Sequence, residues 1–267
     1  MGQIIGKTKD GKDITAYVIS GGRLTAKVMD FGADLMELHV QMKDGSDRDI
    51  VLGYKDVEQY FFNDPNYGFI IGRNANRIGG ASFTLDGVTY SLEKNDNEIN
   101  NLHSGFTSIQ RRVWDTKEEA ADHVTFAIKS PDGDLGFPGN MEIEVTYSID
   151  SADHLIIDYK GISDKRTVFN PTNHSYFNLH GEGNGDILDT EVCVHADYFT
   201  ATDNHSIPDG TDTAVEGTPM DFREFHAINE RIEDDYEQLR MAGGYDHNFE
   251  LSKDEKWHRS EFDHDGR

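Results

Sequence analysis

Cysteine, proline, positive charge and long apolar runs are all scarce in this sequence of 267 residues. Cys193 is the one cysteine, which excludes an intrachain disulfide and gives no sign of an oxidising compartment. No apolar run reaches the length of a membrane-spanning helix, and the residues that follow Met1 lack the apolar core of a signal peptide. We therefore expect a cytoplasmic protein.

Basic residues are half as numerous as acidic ones, with 25 Lys and Arg against 50 Asp and Glu and a formal net charge of −25. A surface of this sign repels phosphate backbones and anionic lipids. We therefore expect neither nucleic acid nor a membrane as a partner. The sequence leaves the oligomeric state open.

Motifs that hold metals or cofactors are also missing. The 12 histidines form no His-Glu-x-x-His pair and no cluster with cysteine. The glycine-rich stretches at 79–80 and 181–185 lack the pattern of a phosphate-binding loop. We expect no metal and no cofactor.

Alternation of apolar and polar residues, typical of half-buried strands, is what the sequence has in abundance. Residues 141–149 alternate strictly, which predicts a strand with one buried face. Looser alternation predicts five further strands at residues 14–19, 24–28, 124–128, 155–159 and 192–196.

Turns and helices complete this pattern. Five dipeptides that tolerate positive φ predict tight turns: Asp10-Gly11, Gly21-Gly22, Asp44-Gly45, Asp86-Gly87 and Asp132-Gly133. Short helices are predicted at residues 57–61 and 228–239. Because no linker composition and no repeat occurs, we predict one all-β domain over residues 1–267, a large antiparallel β-sandwich with few short helices.

Four segments combine ionisable, amide and aromatic residues more densely than surface loops need: 72–78, 101–105, 170–179 and 244–249. They read Gly-Arg-Asn-Ala-Asn-Arg-Ile, Asn-Leu-His-Ser-Gly, Asn-Pro-Thr-Asn-His-Ser-Tyr-Phe-Asn-Leu and Gly-Tyr-Asp-His-Asn-Phe. In this order they resemble the motifs of aldose 1-epimerases, in which the second stretch is Leu-His-Gly-Gly. The resemblance implies an antiparallel β-sandwich of galactose mutarotase type.

The resemblance also implies an activity and a site. Aldose 1-epimerases are isomerases that interconvert the α and β anomers of hexoses such as glucose and galactose, so the implied partner is a small aldose sugar. Carried over by position, His174 is the expected catalytic acid. The expected substrate ligands are Asn76, Arg77, His103, Ser175, Tyr176 and Asp246.

The chemistry suits these residue types. Ring opening needs one proton delivered to the ring oxygen and another removed from the C1 hydroxyl. An imidazole with a pKa of about 6.5 can donate and recover a proton at neutral pH, as required of His174. The Arg77 guanidinium presents a planar fork of donors, and the Asp246 carboxylate can accept from two hydroxyls.

Two positions depart from the family pattern. Ser104 replaces the first glycine of Leu-His-Gly-Gly, where a serine can hydrogen-bond locally and is tolerated if φ is negative. The family's base is a glutamate that follows Gly-Tyr-Asp-His-Asn near the C-terminus, and no matching motif precedes Arg267. We therefore expect the base to lie beyond Arg267, in a chain that is truncated at its C-terminus.

Other interpretations stay open at this point. His103 is also explained as a turn histidine, and His174 as a satisfied buried polar residue. A hexose-phosphate epimerase would need basic residues for the phosphate. A catalytically impaired sugar-binding module would need no base at all.

Overall fold

Antiparallel strands and short loops make up most of the protein. The computed structural model describes residues 1–252 and the backbone of residues 262–263. The chain divides into two units, Met1–Asn184 and Gly185–Arg267. The single domain over residues 1–267 stays a prediction.

The first unit consists mainly of strands. In chain order its elements are β1 (Gln3–Lys7), β2 (Asp13–Gly21), β3 (Leu24–Met29), β4 (Asp34–Gln41), β5 (Asp47–Asp49), α1 (Val57–Tyr60), β6 (Ile70–Ile71), β7 (Arg77–Ile78), β8 (Ser82–Leu85), β9 (Val88–Ser91), β10 (Asn101–Leu102), β11 (Asp115–Glu119), β12 (His123–Ser130), β13 (Met141–Ile149), β14 (Leu155–Ser163) and β15 (Thr172–Asn173). Short 3-10 turns lie at Gly79–Ala81, Ile109–Arg111 and Asp134–Gly136.

Two antiparallel sheets pack face to face in this unit. One has the strand order β1-β2-β3-β4-β5 and the other the order β11-β12-β13-β14. Their inner faces share one apolar core, to which β3 gives Ala26 and Val28 and β13 gives Ile143 and Val145. Burying the valine and isoleucine side chains contributes roughly 1.5–3 kcal/mol each. The predicted all-β sandwich with few short helices is confirmed.

The local predictions for this unit are confirmed except for one tight turn. Along β13 every second residue is buried, as its alternation predicts. The four predicted strands at 14–19, 24–28, 124–128 and 155–159 lie within β2, β3, β12 and β14, and the helix at 57–61 matches α1. Four of the five predicted turns are short connections between antiparallel neighbours, for example β8 and β9, where Gly87 has a φ of 80°. Asp132-Gly133 instead lies in the longer loop between β12 and β13 that contains the 3-10 turn Asp134–Gly136.

The second unit has smaller sheets. Its elements are β16 (Glu191–Val192), β17 (Ala196–Thr202), β18 (Pro208–Ala214), β19 (His226–Ala227), α2 (Glu237–Ala242), β20 (Phe249–Leu251) and β21 (Phe262–Asp263). The strand orders are β19-β16-β21 and β18-β17-β20. Its core gathers Phe199, Val215, Met220 and Leu239.

Two predictions for this unit are wrong. The strand predicted at 192–196 is split between β16 and β17, because the Val194 N–H donates to the carbonyl of Phe222 in a loop. The helix predicted at 228–239 is a 3-10 turn, Ile228–Glu230, followed separately by α2. It is interrupted because the backbone leaves helical geometry at Arg231, with a φ of −138°, and is extended at Tyr236, whose N–H donates to the carbonyl of Asp234.

No helix among the described residues is long and apolar enough to cross a membrane.

Candidate active site

Two short strand pairs bring most of the predicted site residues of the first unit together. In the β7–β10 pair, Leu102 lies opposite Arg77, which sets His103 beside Asn76. In the β6–β15 pair, Asn173 lies opposite Ile70, and the next residue, His174, donates its N–H to the Phe69 carbonyl at 2.9 Å. The rings of His103 and His174 consequently meet edge to face, with centroids 5.1 Å apart.

Unusual backbone geometry builds the loops that carry Asn76 and His103. Both residues have positive φ, 59° and 54°, which is tolerated best by glycine and by short polar side chains. The two loops bond reciprocally, since His103 N–H donates to the Asn76 carbonyl and Asn76 N–H donates to Nδ1 of His103, both at 3.0 Å. These two bonds compensate the backbone strain.

Ser104 does not meet the condition of a negative φ under which a serine is easily tolerated. Its φ is 66°, and its side chain is buried. The Ser104 hydroxyl accepts from the Asn74 N–H at 2.9 Å and donates to the Asn74 carbonyl at 3.1 Å. The serine therefore joins the two loops through bonds that a glycine in the family pattern cannot make.

The His103 ring is held neutral. Burial, followed by the nearby His174 and Arg77, lowers the pKa of His103 to about 4. Because Nδ1 accepts the Asn76 N–H, the ring hydrogen of the neutral imidazole lies on Nε2. This Nε2–H has no hydrogen-bond partner among the described residues and is available to a ligand oxygen.

Arg77 is fixed by a carboxylate that the sequence reasoning missed. Its Nε donates to Asp96 at 3.1 Å, and both side chains are largely buried. The Oδ1 of Asn76 receives the backbone N–H of Arg77 at 2.8 Å and lies 3.5 Å from Nη1 of the guanidinium. Part of the guanidinium fork therefore orients the side chain, and the rest is left for hydroxyl groups.

Aromatic side chains continue from the histidine pair. The Tyr176 ring lies 5.3 Å from the His174 ring and 5.1 Å from the Tyr67 ring, measured between centroids. Tyr176 keeps 41% of its surface exposed. Such a partly exposed ring can receive the apolar face of a pyranose.

Two predicted ligands do not join this group within the first unit. The Ser175 hydroxyl is buried and has no hydrogen-bond partner among the described residues. Asp246 belongs to the second unit, where its exposed side chain lies between α2 and β20. Their roles as substrate ligands stay predictions.

The two arginines of the first motif have different functions in the structure. Arg73 is buried and donates to the carbonyls of Ser130, Pro131, Pro138 and Gly139, so it anchors the loop. Arg77 alone lies beside the histidines. The sequence contains one indication that Asp96 belongs to the site. Amide and acidic side chains are unusually dense between residues 95 and 101.

One grouping of possible metal ligands occurs among the described residues. Ligand atoms of Glu37, His39 and Asp49 lie within 4.8 Å of one another. Lys27 pairs with Glu37 at 2.6 Å, and Asp47 pairs with His39 at 2.5 Å. These contacts account for the grouping as an ion-pair cluster, and we assign no metal to it.

Comparison with known proteins agrees with this arrangement. The family model for aldose 1-epimerase matches residues 15–266. Galactose mutarotase of Rattus norvegicus is 36% identical over 249 residues, which cover 92% of this chain and 70% of the relative. Aldose 1-epimerase of Escherichia coli K12 is 36% identical over 228 residues, which cover 85% of this chain and 65% of the relative.

A solved structure extends the likeness to the fold. The crystal structure of galactose 1-epimerase from Lactobacillus acidophilus NCFM superimposes with a TM-score of 0.83 and 28% identity, covering 94% of this chain and 74% of that one. The antiparallel sandwich with its paired histidines thus defines an isomerase of the galactose mutarotase fold. The chain belongs to the aldose 1-epimerase family.

Proposed function

We propose that this chain interconverts the α and β anomers of a free hexose, such as glucose or galactose, with His174 as the catalytic acid. Membership of the aldose 1-epimerase family supports the reaction. The observation that carries the site assignment is the edge-to-face pair of His103 and His174, whose ring centroids lie 5.1 Å apart.

The neutrality of His103 has a direct consequence for its neighbour. Two adjacent imidazolium ions would repel each other and disfavour protonation of both. With the pKa of His103 lowered to about 4, His103 adds no positive charge beside His174 at neutral pH. His103 then serves as a hydrogen-bond donor through Nε2.

In the proposed step, His174 delivers its proton to the ring oxygen while a base removes the C1 hydroxyl proton. The bond between C1 and the ring oxygen breaks, an aldehyde forms, and rotation about the C1–C2 bond precedes reclosure. Arg77 and His103 hold hydroxyl groups, and we propose that Asp246 and Ser175 are further ligands. We assign the base to none of the glutamates in this chain.

Free sugars suit this site better than phosphorylated ones. Arg77 is already paired with Asp96, and the pair carries no net charge. A phosphate dianion would therefore gain little attraction there, whereas sugar hydroxyls can bond to the remaining donors. We propose a small aldose as the partner; a cytoplasmic location stays a prediction.

Polarimetry tests this proposal. Freshly dissolved α-D-galactose, α-D-glucose and α-D-glucose 6-phosphate are followed with and without the protein. We expect faster mutarotation of the free sugars than of the phosphate ester. Calorimetric binding of galactose without any acceleration would overturn catalysis by these 267 residues and support a catalytically impaired sugar-binding module.

A further inference from the structure

A second concave site lies in the first unit. It is a cleft of about 520 Å³ between the β1–β2 turn and the segment that follows the 3-10 turn at Ile109–Arg111. Its apolar lining consists of Phe31, Phe61, Val113 and Ile128. The volume is within the range of sites that bind small molecules, about 300–1,000 Å³.

Positive charge is concentrated around this cleft. Five of the 25 basic residues of the chain line it, against one acidic residue, Asp10. The five are Lys9, Lys12, Arg111, Arg112 and Lys129. In a chain with 50 acidic residues, such a cluster focuses a positive potential in one cleft of an otherwise negative protein.

Two of these cations have carboxylate partners. Arg112 forms a bidentate pair with Asp134 at 2.8 and 2.9 Å, and Lys12 lies 3.7 Å from Asp10. The charges of these two residues are thereby largely compensated within the protein. They set the rim of the cleft but add little to its net charge.

The other three cations have no ion-pair partner among the described residues. Arg111 donates to the backbone carbonyls of Tyr60 and Asn63, which fixes the guanidinium without cancelling its charge. Lys9 lies over the ring of Phe62 at 5.1 Å. Lys129 is exposed. Neighbouring cations repel one another, so an anion held between them would be stabilised.

We propose that this cleft binds a small organic phosphate. The phosphate group interacts with Lys9, Lys129 and the charge of Arg111, since ammonium groups bind phosphate as point charges. The remainder of the molecule, a sugar or a nucleobase, rests on Phe61 and Val113. This apolar lining distinguishes the ligand from an inorganic ion.

The cleft differs from the candidate active site, although one 3-10 turn contributes to both. Gln110 donates from this turn to the carbonyl of His103 at 3.2 Å, whereas the next residue, Arg111, reaches Tyr60 and Asn63. Binding in the cleft therefore needs neither His174 nor turnover. A failure of the proposed epimerase activity would leave this inference untouched.

Isothermal calorimetry on the full chain tests the proposal with defined probes. The phosphate compounds are AMP, glucose 6-phosphate and inorganic phosphate, and the neutral comparisons are adenosine and glucose. The variant is the double substitution Lys9→Gln with Lys129→Gln. The matched control is Lys43→Gln with Lys55→Gln, which removes the same charge from two exposed lysines outside the cleft.

We expect AMP or glucose 6-phosphate to bind more tightly than inorganic phosphate at low salt. The cleft variant should weaken this binding by about tenfold and the control by less than about twofold, and about 300 mM salt should weaken it further. Absence of saturable binding, or equal loss in both variants, would overturn the site. Equal affinity for inorganic phosphate would overturn the role of the apolar lining.

Discussion

Replacing Asp34 with Asn should make the protein more stable at neutral pH. Asp34 begins β4 and is completely buried, and neither carboxylate oxygen has a hydrogen-bond partner among the described residues. Its side chain packs against the backbone of Gly68, where an added Cβ would lie only 2.8 Å from Oδ1. Burial without a partner raises the pKa of Asp34 well above its usual value.

The sign of the effect follows from this raised pKa. Above about pH 4 the unfolded chain loses the Asp34 proton while the folded chain keeps it, so stability decreases as pH rises. The decrease is about 1.4 kcal/mol per pH unit for one proton, and it continues until the buried carboxyl ionises. Asn has a similar shape and does not titrate, so the variant avoids this loss.

Urea unfolding followed by circular dichroism at several pH values measures the effect. The free-energy difference between Asp34→Asn and the original chain should increase by about 1.4 kcal/mol between pH 5 and pH 6. Asp115→Asn is the control, because Asp115 is exposed and should leave the slope unchanged. A difference that does not vary with pH would refute the assignment of a buried, protonated Asp34.

Asp30→Asn should also stabilise the chain, because burial raises the pKa of Asp30 to about 6. The gain in the free energy of unfolding should develop between pH 4 and 6, reach about 3 kcal/mol and stay constant at higher pH. A gain still growing above pH 7 would contradict that pKa. Arg73→Met should lower the free energy of unfolding by about 3–5 kcal/mol, since three buried carbonyls and that of the exposed Pro131 lose their donor. A loss under about 1 kcal/mol in urea unfolding would show that Arg73 does not anchor the loop. His103→Asn should raise KM for galactose by about tenfold while the midpoint of the pH–rate profile stays in place, because the pKa of His103 lies near 4. A shift of this midpoint in the variant would show that His103 is the group whose titration determines the pH–rate profile.

Features that depend on neighbouring residues were predictable from the sequence. The strict alternation of β13 encodes one buried face, and the Asp-Gly turns encode positive φ, so both were found without tertiary information. The positions of His103 and His174 came from ordered motifs. Their contact could not be derived from spacing, because 71 residues separate them along the chain.

Features that depend on distant partners were missed. Asp96 acquires its role only when β7 and β10 pair and bring Arg77 to it. The predicted helix at 228–239 is interrupted where the backbone leaves helical geometry between Arg231 and Tyr236, after Ile228 and Asn229 have bonded to the distant carbonyls of Thr190 and Leu188. The hydrogen bonds of Ser104 to Asn74 stabilise a positive φ that residue type alone argues against.

The acid role of His174 is tested most directly by polarimetry of α-D-galactose with the original chain and with His174→Asn. His205→Asn is the control, since His205 is an exposed histidine to which no function is assigned. We expect the original chain and the control to accelerate mutarotation equally and His174→Asn to lose about 10²–10⁴ of that rate. Undiminished acceleration by His174→Asn would contradict the assignment of His174 as the acid.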